Sequence, residues 1–225
     1  ALKLRVRDFI LVFSAPKSVL IGFLSQFVAL PFLTFLLVLI LKPMPGVAMG
    51  MMIVAACPGG NISNFMTALA NGNTALSVCM TAIASVTAVF MTPFNISFWG
   101  GMYAPTSEIL SDVSLDFFAM LKIVGMILLI PLTIGMLLRE FKPKIADFLV
   151  PITHYGSILI FGGIVVFAFG ANTDLFVKYI HLIVFIVLAH NALGILTGFS
   201  LARVFRLPSA DQKTLAIETG IQNSG

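Results

Sequence analysis

Cys57-Pro58-Gly59-Gly60-Asn61-Ile62-Ser63-Asn64 interrupts a long uncharged stretch, in which no Asp, Glu, Lys or Arg occurs between Lys42 and Glu108. That stretch has room for two membrane crossings and a turn, because one crossing takes ~20 residues. Pro58 removes a backbone donor, and Gly59 and Gly60 loosen the helix. Irregular backbone at membrane depth is tolerated only where protein or a cavity covers it. Broken helices there expose carbonyls and amides that can hold an ion or a solute. Asn61, Ser63 and Asn64 add side-chain oxygens. The plainer reading is a proline kink whose polar groups are satisfied locally.

Composition agrees with a chain built for a membrane. Of 225 residues, 59% are hydrophobic and 10% are charged, against ~25% charged in an ordinary soluble domain. Mean hydropathy is +1.08. A soluble fold of this size cannot hide so much apolar side chain, and a disordered chain has the opposite composition. Two cysteines, Cys57 and Cys79, make no disulfide scaffold. A β-barrel needs alternating segments of ~10 residues, which are absent. The fold class read from this is an all-α polytopic membrane protein. The formal charge of +4 is assigned to basic loops at a membrane face rather than to nucleic-acid binding.

The remaining charges fall in clusters that mark the loops. They divide the chain into spans at roughly 18–41, 45–70, 74–99, 116–138, 150–170 and 177–200, with a seventh starting near 209. Asn71-Gly72-Asn73 and Gly170-Ala171-Asn172 read as turns, and Pro143 and Pro151 as the flanks of a short amphipathic linker. Basic loops at 1–17, 139–147 and 203–213 then alternate with the acidic loop at 108–116, which places the basic ones inside. The implied location is a cell inner membrane, crossed several times. Both ends read as cut, because Ala1 opens on a basic segment and the last span stops at Gly225.

A second polar stretch, Glu218-Thr219-Gly220-Ile221-Gln222-Asn223-Ser224-Gly225, falls within the last span. An intramembrane carboxylate is costly and points to function. The alternative is that Glu218 snorkels or pairs with Lys213. Ile62, Ser63 and Asn64 can be laid on Ile221, Gln222 and Asn223, and the two interrupted spans run in opposite directions, as an inverted repeat would give.

Other polar groups gather near these breaks. Ser77 and Thr81 are four residues apart and share one helix face, which Ser85 continues. Each could instead bond the carbonyl one turn back. Gln26 stands among Phe, Leu and Val, where a helix–helix hydrogen bond is the plain alternative. Gln26, Ser63, Asn64, Ser77, Thr81, Glu218 and Gln222 together offer oxygens of the kind a sodium ion takes. Histidines 154, 181 and 190 are scattered, so no zinc site is indicated. No phosphate-binding loop is present. Ser63 has only His190 as a base at matching depth, and no nucleophile–base motif is visible, so the chain is not read as an enzyme.

The run Cys-Pro-Gly-Gly-x-x-Ser-Asn at 57–64, then Ser77 and Thr81, then Glu-x-Gly-x-Gln-Asn at 218–223, resembles the bile acid:sodium symporter family, its bacterial members included. The resemblance covers essentially the whole chain. It implies an inverted-repeat transporter with a core domain, in which two broken helices cross, facing a panel domain. Residues 1–17 would be a cytoplasmic loop and 18–99 the core helices of the first repeat, broken near 58–61. Residues 100–115 would be an outer loop, 116–170 the panel helices and 171–225 core helices of the second repeat. The chain would begin before the third span of the family and stop at the crossover in the ninth.

The same resemblance implies two sodium ions. The first site would draw on Ser63, Asn64, Ser77, Thr81 and Glu218. The second would draw on Gln26, Glu218 and Gln222, with the backbone carbonyls of Thr219 and Ile221. Pro58, Gly59, Gly60, Asn61 and Asn223 would form the break and touch the substrate. Asn61 departs from the Thr frequent in bacterial members. The implied activity is sodium-coupled symport of an organic anion, bile-acid-like or a small carboxylate such as pantoate, by alternating access. The rivals are a proton-coupled antiporter of similar architecture and a receptor or channel-like protein.

Overall fold

The computed structural model describes residues 15–112 and 117–222. The first apolar helix runs from Pro16 to Leu41 in three parts: α1 (Pro16–Leu24), a π-helical turn (Ser25–Ala29) and α2 (Leu30–Leu41). The turn has a local cause. Pro31 carries no amide to donate to the carbonyl of Phe27, four residues back. The helix widens there, so that Leu30 N reaches Ser25 O. The orphaned Phe27 carbonyl instead accepts from Asn95 Nδ2 at 3.1 Å. π turns of this kind are frequent at functional sites, and this one carries Gln26.

The expected span at 45–70 is two helices, α3 (Pro45–Ala56) and α4 (Asn61–Leu69), separated by four non-helical residues. Cys57 and Gly60 are both extended, with ψ of 153° and 176°. The carbonyls freed at the break are taken up by side chains from other elements or from α4. Thr92 donates to Ala56 O at 2.7 Å, Gln26 to Cys57 O at 2.8 Å and the Ser63 hydroxyl to Gly60 O at 2.5 Å. Without them each would remain an unpaired polar group in an apolar setting, a loss of ~1–3 kcal/mol.

The turn after α4 places Asn71 at a φ of +53°, a left-handed conformation that Asn visits more readily than most residues. Asn73 then caps α5 (Thr74–Met102), its side chain accepting from Leu76 N at 3.1 Å. Such a cap contributes about 1 kcal/mol. α5 is the central helix and packs against α1, α3 and α4 and against several of the later helices.

Two connections differ from their sequence reading. The outer loop at 100–115 contains a helix, α6 (Ala104–Asp112). Its start is fixed by the Thr106 hydroxyl, which lies 2.6 Å from Gly100 O and 2.9 Å from Tyr103 O. Ile109 and Leu110 pack on the buried Met49, Ala56, Ile96 and Met120, so its apolar face has a partner that the acidic residues concealed. The linker between Pro143 and Pro151 is instead the first part of a continuous helix. α7 (Phe117–Phe141) is followed after one residue by α8 (Pro143–Ala171). Pro143 suits a first helical position, and Pro151 removes only one amide from a helix of 29 residues, which continues past it.

α9 (Thr173–Val204) and α10 (Ser209–Gly220) make the closest helix pair in the core. Gly194 and Gly198 are four apart on α9. A Cβ on Gly198 would stand 2.2 Å from Leu215 O, and one on Gly194 3.0 Å from Thr219 O. Small residues at this spacing let two backbones touch, which drives helix association in an apolar solvent.

Pro16–Leu41, Thr74–Met102, Phe117–Phe141 and Ile183–Val204 are each long and apolar enough to cross a membrane, by length and composition. The peripheral pair differs from the core helices. Half of the most apolar stretch of α5 is buried, against 12% of that of α7. Phe118, Ile127 and Ile130 on α7, and Leu159, Val166 and Phe167 on α8, face outward. Contacts gather one set of loops at a single end: Lys17 Nζ donates to Phe205 O at 2.8 Å, and Lys213 Nζ to Ala70 O at 3.0 Å. Both lysines meet carbonyls at helix ends, where a cation is favoured.

Candidate functional site

α10 ends at Gly220, and the chain beyond it becomes extended at Ile221, with φ −107° and ψ 94°. Gln222 then pairs with Gly59 in an isolated antiparallel bridge. The non-helical stretch after α3 and the one after α10 therefore meet backbone to backbone. Neither could do so as a continuous helix, whose backbone groups bond internally.

Glu218 lies one turn before this meeting point and is 1% exposed. Three hydroxyls converge on its carboxylate. The Ser63 hydroxyl lies 2.7 Å from Oε1, Ser77 donates to the same oxygen, and Thr81 reaches Oε2 at 3.3 Å. Asn64 closes the group, its Oδ1 lying 2.7 Å from Ser77 Oγ and 3.1 Å from Thr81 Oγ1. All five residues of the first expected set thus stand together. α4, α5 and α10 each supply part of it, and the break supplies the sharp turn that brings Ser63 in.

The chemistry of this group is rich in oxygen and poor in protons. Each hydroxyl has one proton to give. Yet Ser63 faces both Gly60 O and Glu218 Oε1, and Ser77 and Thr81 each face Asn64 Oδ1 and a carboxylate oxygen. A hard cation satisfies such a set, because it accepts lone pairs from all the oxygens at once.

The second expected set is assembled in part. Gln26 Nε2 donates to Gln222 Oε1 at 2.6 Å as well as to Cys57 O. Gln222 Nε2 donates to Thr219 O at 2.6 Å, so that carbonyl is occupied by a neighbouring side chain. Ile221 adjoins both, its own amide bonded to Ile217 O at 2.8 Å. Glu218 and Gln26 line the same narrow cleft between α1 and α5, together with Val19, Gly22, Phe23 and Met80. Pro58, Gly59 and Gly60 are buried at the break. Asn61 starts α4, and Asn223 lies outside the described residues.

Several polar contacts have partners that the sequence does not single out. The Ser25 and Thr219 hydroxyls pair at 2.9 Å across α1 and α10. His190 bonds Thr34 at 2.9 Å between α2 and α9, which fits core hydrogen bonding. Asn95, besides holding Phe27 O, accepts from Trp99 Nε1 at 3.1 Å. For Asn95 the sequence did hold a signal, since Pro31 announces a carbonyl without its donor.

Long apolar helices, outward apolar faces and a buried polar centre define an all-α polytopic membrane protein. The chain belongs to the Sodium Bile acid symporter family, whose sequence profile matches residues 1–179. That family is one of transporters, not of enzymes. Among its relatives is the uncharacterized sodium-dependent transporter YocS of Bacillus subtilis (strain 168). The two are 34% identical over 224 residues, covering 100% of this chain and 67% of the relative. The probable sodium/metabolite cotransporter BASS1, chloroplastic, of Arabidopsis thaliana is 31% identical over 214 residues, 94% of this chain and 50% of its own length. Sodium/bile acid cotransporter 4 of Homo sapiens is 29% identical over 214 residues, 92% of this chain and 47% of its own length. The chain thus spans two-thirds of the bacterial relative and about half of the plant and human ones.

Proposed function

We propose that this chain forms the ion-coupling part of a secondary transporter that moves a small organic anion with sodium by alternating access. The observation that carries the reading is Glu218, buried among Ser63, Asn64, Ser77 and Thr81 beside the meeting of two helix breaks. One sodium ion takes the oxygens of that group. A second takes those around Gln26, Gln222 and the carbonyls of Thr219 and Ile221, with Glu218 serving both. The names of the bacterial and plant relatives, sodium-dependent transporter and sodium/metabolite cotransporter, support sodium as the coupling ion.

The two breaks are counterparts in an inverted repeat, α3–α4 in one half and α10 with its continuation in the other. α1–α5, α9 and α10 form the core, and α7–α8 the panel it moves against. Sodium draws α4, α5 and α10 onto one carboxylate and so orders the break. The amides at the start of α4, with the ions nearby, then favour an anionic group such as a carboxylate. The membrane is the inner membrane of a cell, with the basic loops inside.

Uptake of radiolabelled candidate anions, a small hydroxy acid such as pantoate and a bile acid, into proteoliposomes of the full-length protein tests this. An inward sodium gradient is expected to drive accumulation of one of them, and choline replacement to abolish it. Accumulation that ignores sodium and follows a pH gradient would transfer the reading to a proton-coupled antiporter.

A further inference from the structure

Asp211 is a second buried carboxylate, 6% exposed, in the first turn of α10. It stands seven residues before Glu218, close to two helical turns, so both lie on one face of α10. Its Oδ2 accepts from the Ser18 hydroxyl at 2.6 Å, and its Oδ1 from Asn73 Nδ2 at 2.9 Å. Thr214, between the two carboxylates, accepts from Asn73 N at 2.8 Å. It presses on Gly72, where a Cβ would meet Thr214 Oγ1 at 2.9 Å and Thr67 Cγ2 at 2.8 Å. The Thr67 hydroxyl is 3.3 Å from Ser77 Oγ, which donates to Glu218. A chain of buried polar groups therefore runs from Asp211 to Glu218 along the seam of α4, α5 and α10.

An aspartate in a first turn stabilises the helix through its dipole. That accounts for an acid at this position but not for its burial, nor for both oxygens taking donors from other segments. Those donors belong to the elements that carry the ion-site residues. Ser18 is on α1, eight residues before Gln26. Asn73 caps α5, four and eight residues before Ser77 and Thr81. A slip of one residue along a helix displaces every side chain by ~1.5 Å, enough to break the hydrogen bonds at Glu218.

We propose that Asp211 is a positioning residue, which fixes the axial register of α1, α5 and α10 so that the oxygens around Glu218 assemble in one arrangement. The inference rests on the sodium-coupled reading given above.

The test uses the full-length protein, comparing wild type with Asp211→Asn, Ser18→Ala and Lys213→Ala. Asparagine keeps the size of Asp211 but turns a donor toward one of its two donor partners. Half-saturating sodium for transport is expected to rise roughly three- to tenfold in Asp211→Asn, the scale of one lost charge-assisted hydrogen bond. The rate at saturating sodium should stay within about twofold, because the chemistry at Glu218 is intact once the ion is bound. Ser18→Ala should shift sodium dependence in the same direction by less, and Lys213→Ala not at all. Wild-type half-saturation in Asp211→Asn overturns the proposal, as does an equal shift in Lys213→Ala. If Asp211→Asn does not fold, Ser18→Ala decides by the same measure. A wild-type protein that ignores sodium refutes the sodium reading and this inference together, whereas a sodium-responsive wild type with an unaltered Asp211→Asn refutes this inference alone.

Discussion

The Glu218 carboxylate occupies the space that a side chain on Gly59 would take. A Cβ there would stand 2.6 Å from Glu218 Oε2 and 3.2 Å from the Glu218 carbonyl oxygen. The neighbouring Gln222 pairs with Gly59 through its backbone. The glycine is thus a matter of contact and not only of chain flexibility. It lets one helix break lie directly on the carboxylate borne by another element.

Gly59→Ala is therefore expected to push Glu218 off the hydroxyls of Ser63 and Thr81. The measurement is sodium binding by calorimetry on purified full-length protein. Binding should weaken by at least about tenfold, the result of losing one well-placed interaction of ~1.4 kcal/mol. Unchanged binding would show that the carboxylate can retreat without consequence. Gly46, where a Cβ meets nothing within 4 Å, serves as the control for an added methyl group.

Sodium itself should stabilise the fold, because it binds the folded arrangement and not the separated helices. At a concentration ~100 times the dissociation constant the gain is about 2.7 kcal/mol. Thermal unfolding in detergent is expected to shift upward in sodium and not in choline. Glu218→Gln should abolish the shift while leaving the protein folded in choline, since the amide still accepts from the surrounding hydroxyls. A full sodium shift in Glu218→Gln would remove the carboxylate from the ion site.

Asn95→Ala leaves the Phe27 carbonyl without a donor, at a cost of ~1–3 kcal/mol. The melting temperature should fall accordingly. Adding Pro31→Ala restores the missing amide, so the double variant should regain stability. It should also lose sodium affinity, because a regular helix turns Gln26 away from Cys57 O and Gln222. A double variant no more stable than Asn95→Ala would mean that the proline is not the cause of the π turn.

Gly198→Val forces α9 away from Leu215 O, where even a Cβ would come within 2.2 Å. The clash is with backbone and cannot be relieved by a rotamer. Overpacking of this kind costs ~1–3 kcal/mol or more. A lowered yield of monodisperse protein in size-exclusion chromatography is expected, and normal yield and melting temperature would contradict the packing described.

Much of the fold was legible because its signals are local. Pro58-Gly59-Gly60 can break a helix in any context, and Lys42 and Glu108 bound an uncharged stretch whatever surrounds them. Helical spacing put Ser77 and Thr81 on one face, and it was the family resemblance that implied their grouping with Ser63, Asn64 and Glu218. What remained hidden depends on distant partners. α6 looks like a loop until Leu110 finds Met49 and Ile96. Pro151 looks like a boundary, although one missing amide does not end a long helix. Asp211 looks like a surface acid among Lys213 and Arg206, and only the folded chain sets it between Ser18 and Asn73. Ser25 and Thr219 lie 194 residues apart, a pairing that no periodicity foretells.

Pro31 and Asn95 bear on descent as well as on stability. The proline removes a donor on one helix and the asparagine replaces it from another, so each is a liability without the other. A lineage that loses the asparagine first carries an orphaned carbonyl in an apolar interior. One that loses the proline first keeps an asparagine whose amide no longer has an orphaned carbonyl to serve, although its Oδ1 still accepts from Trp99 Nε1. The two positions are therefore expected to drift together among relatives, and a descendant that has changed both has also redrawn the turn that presents Gln26.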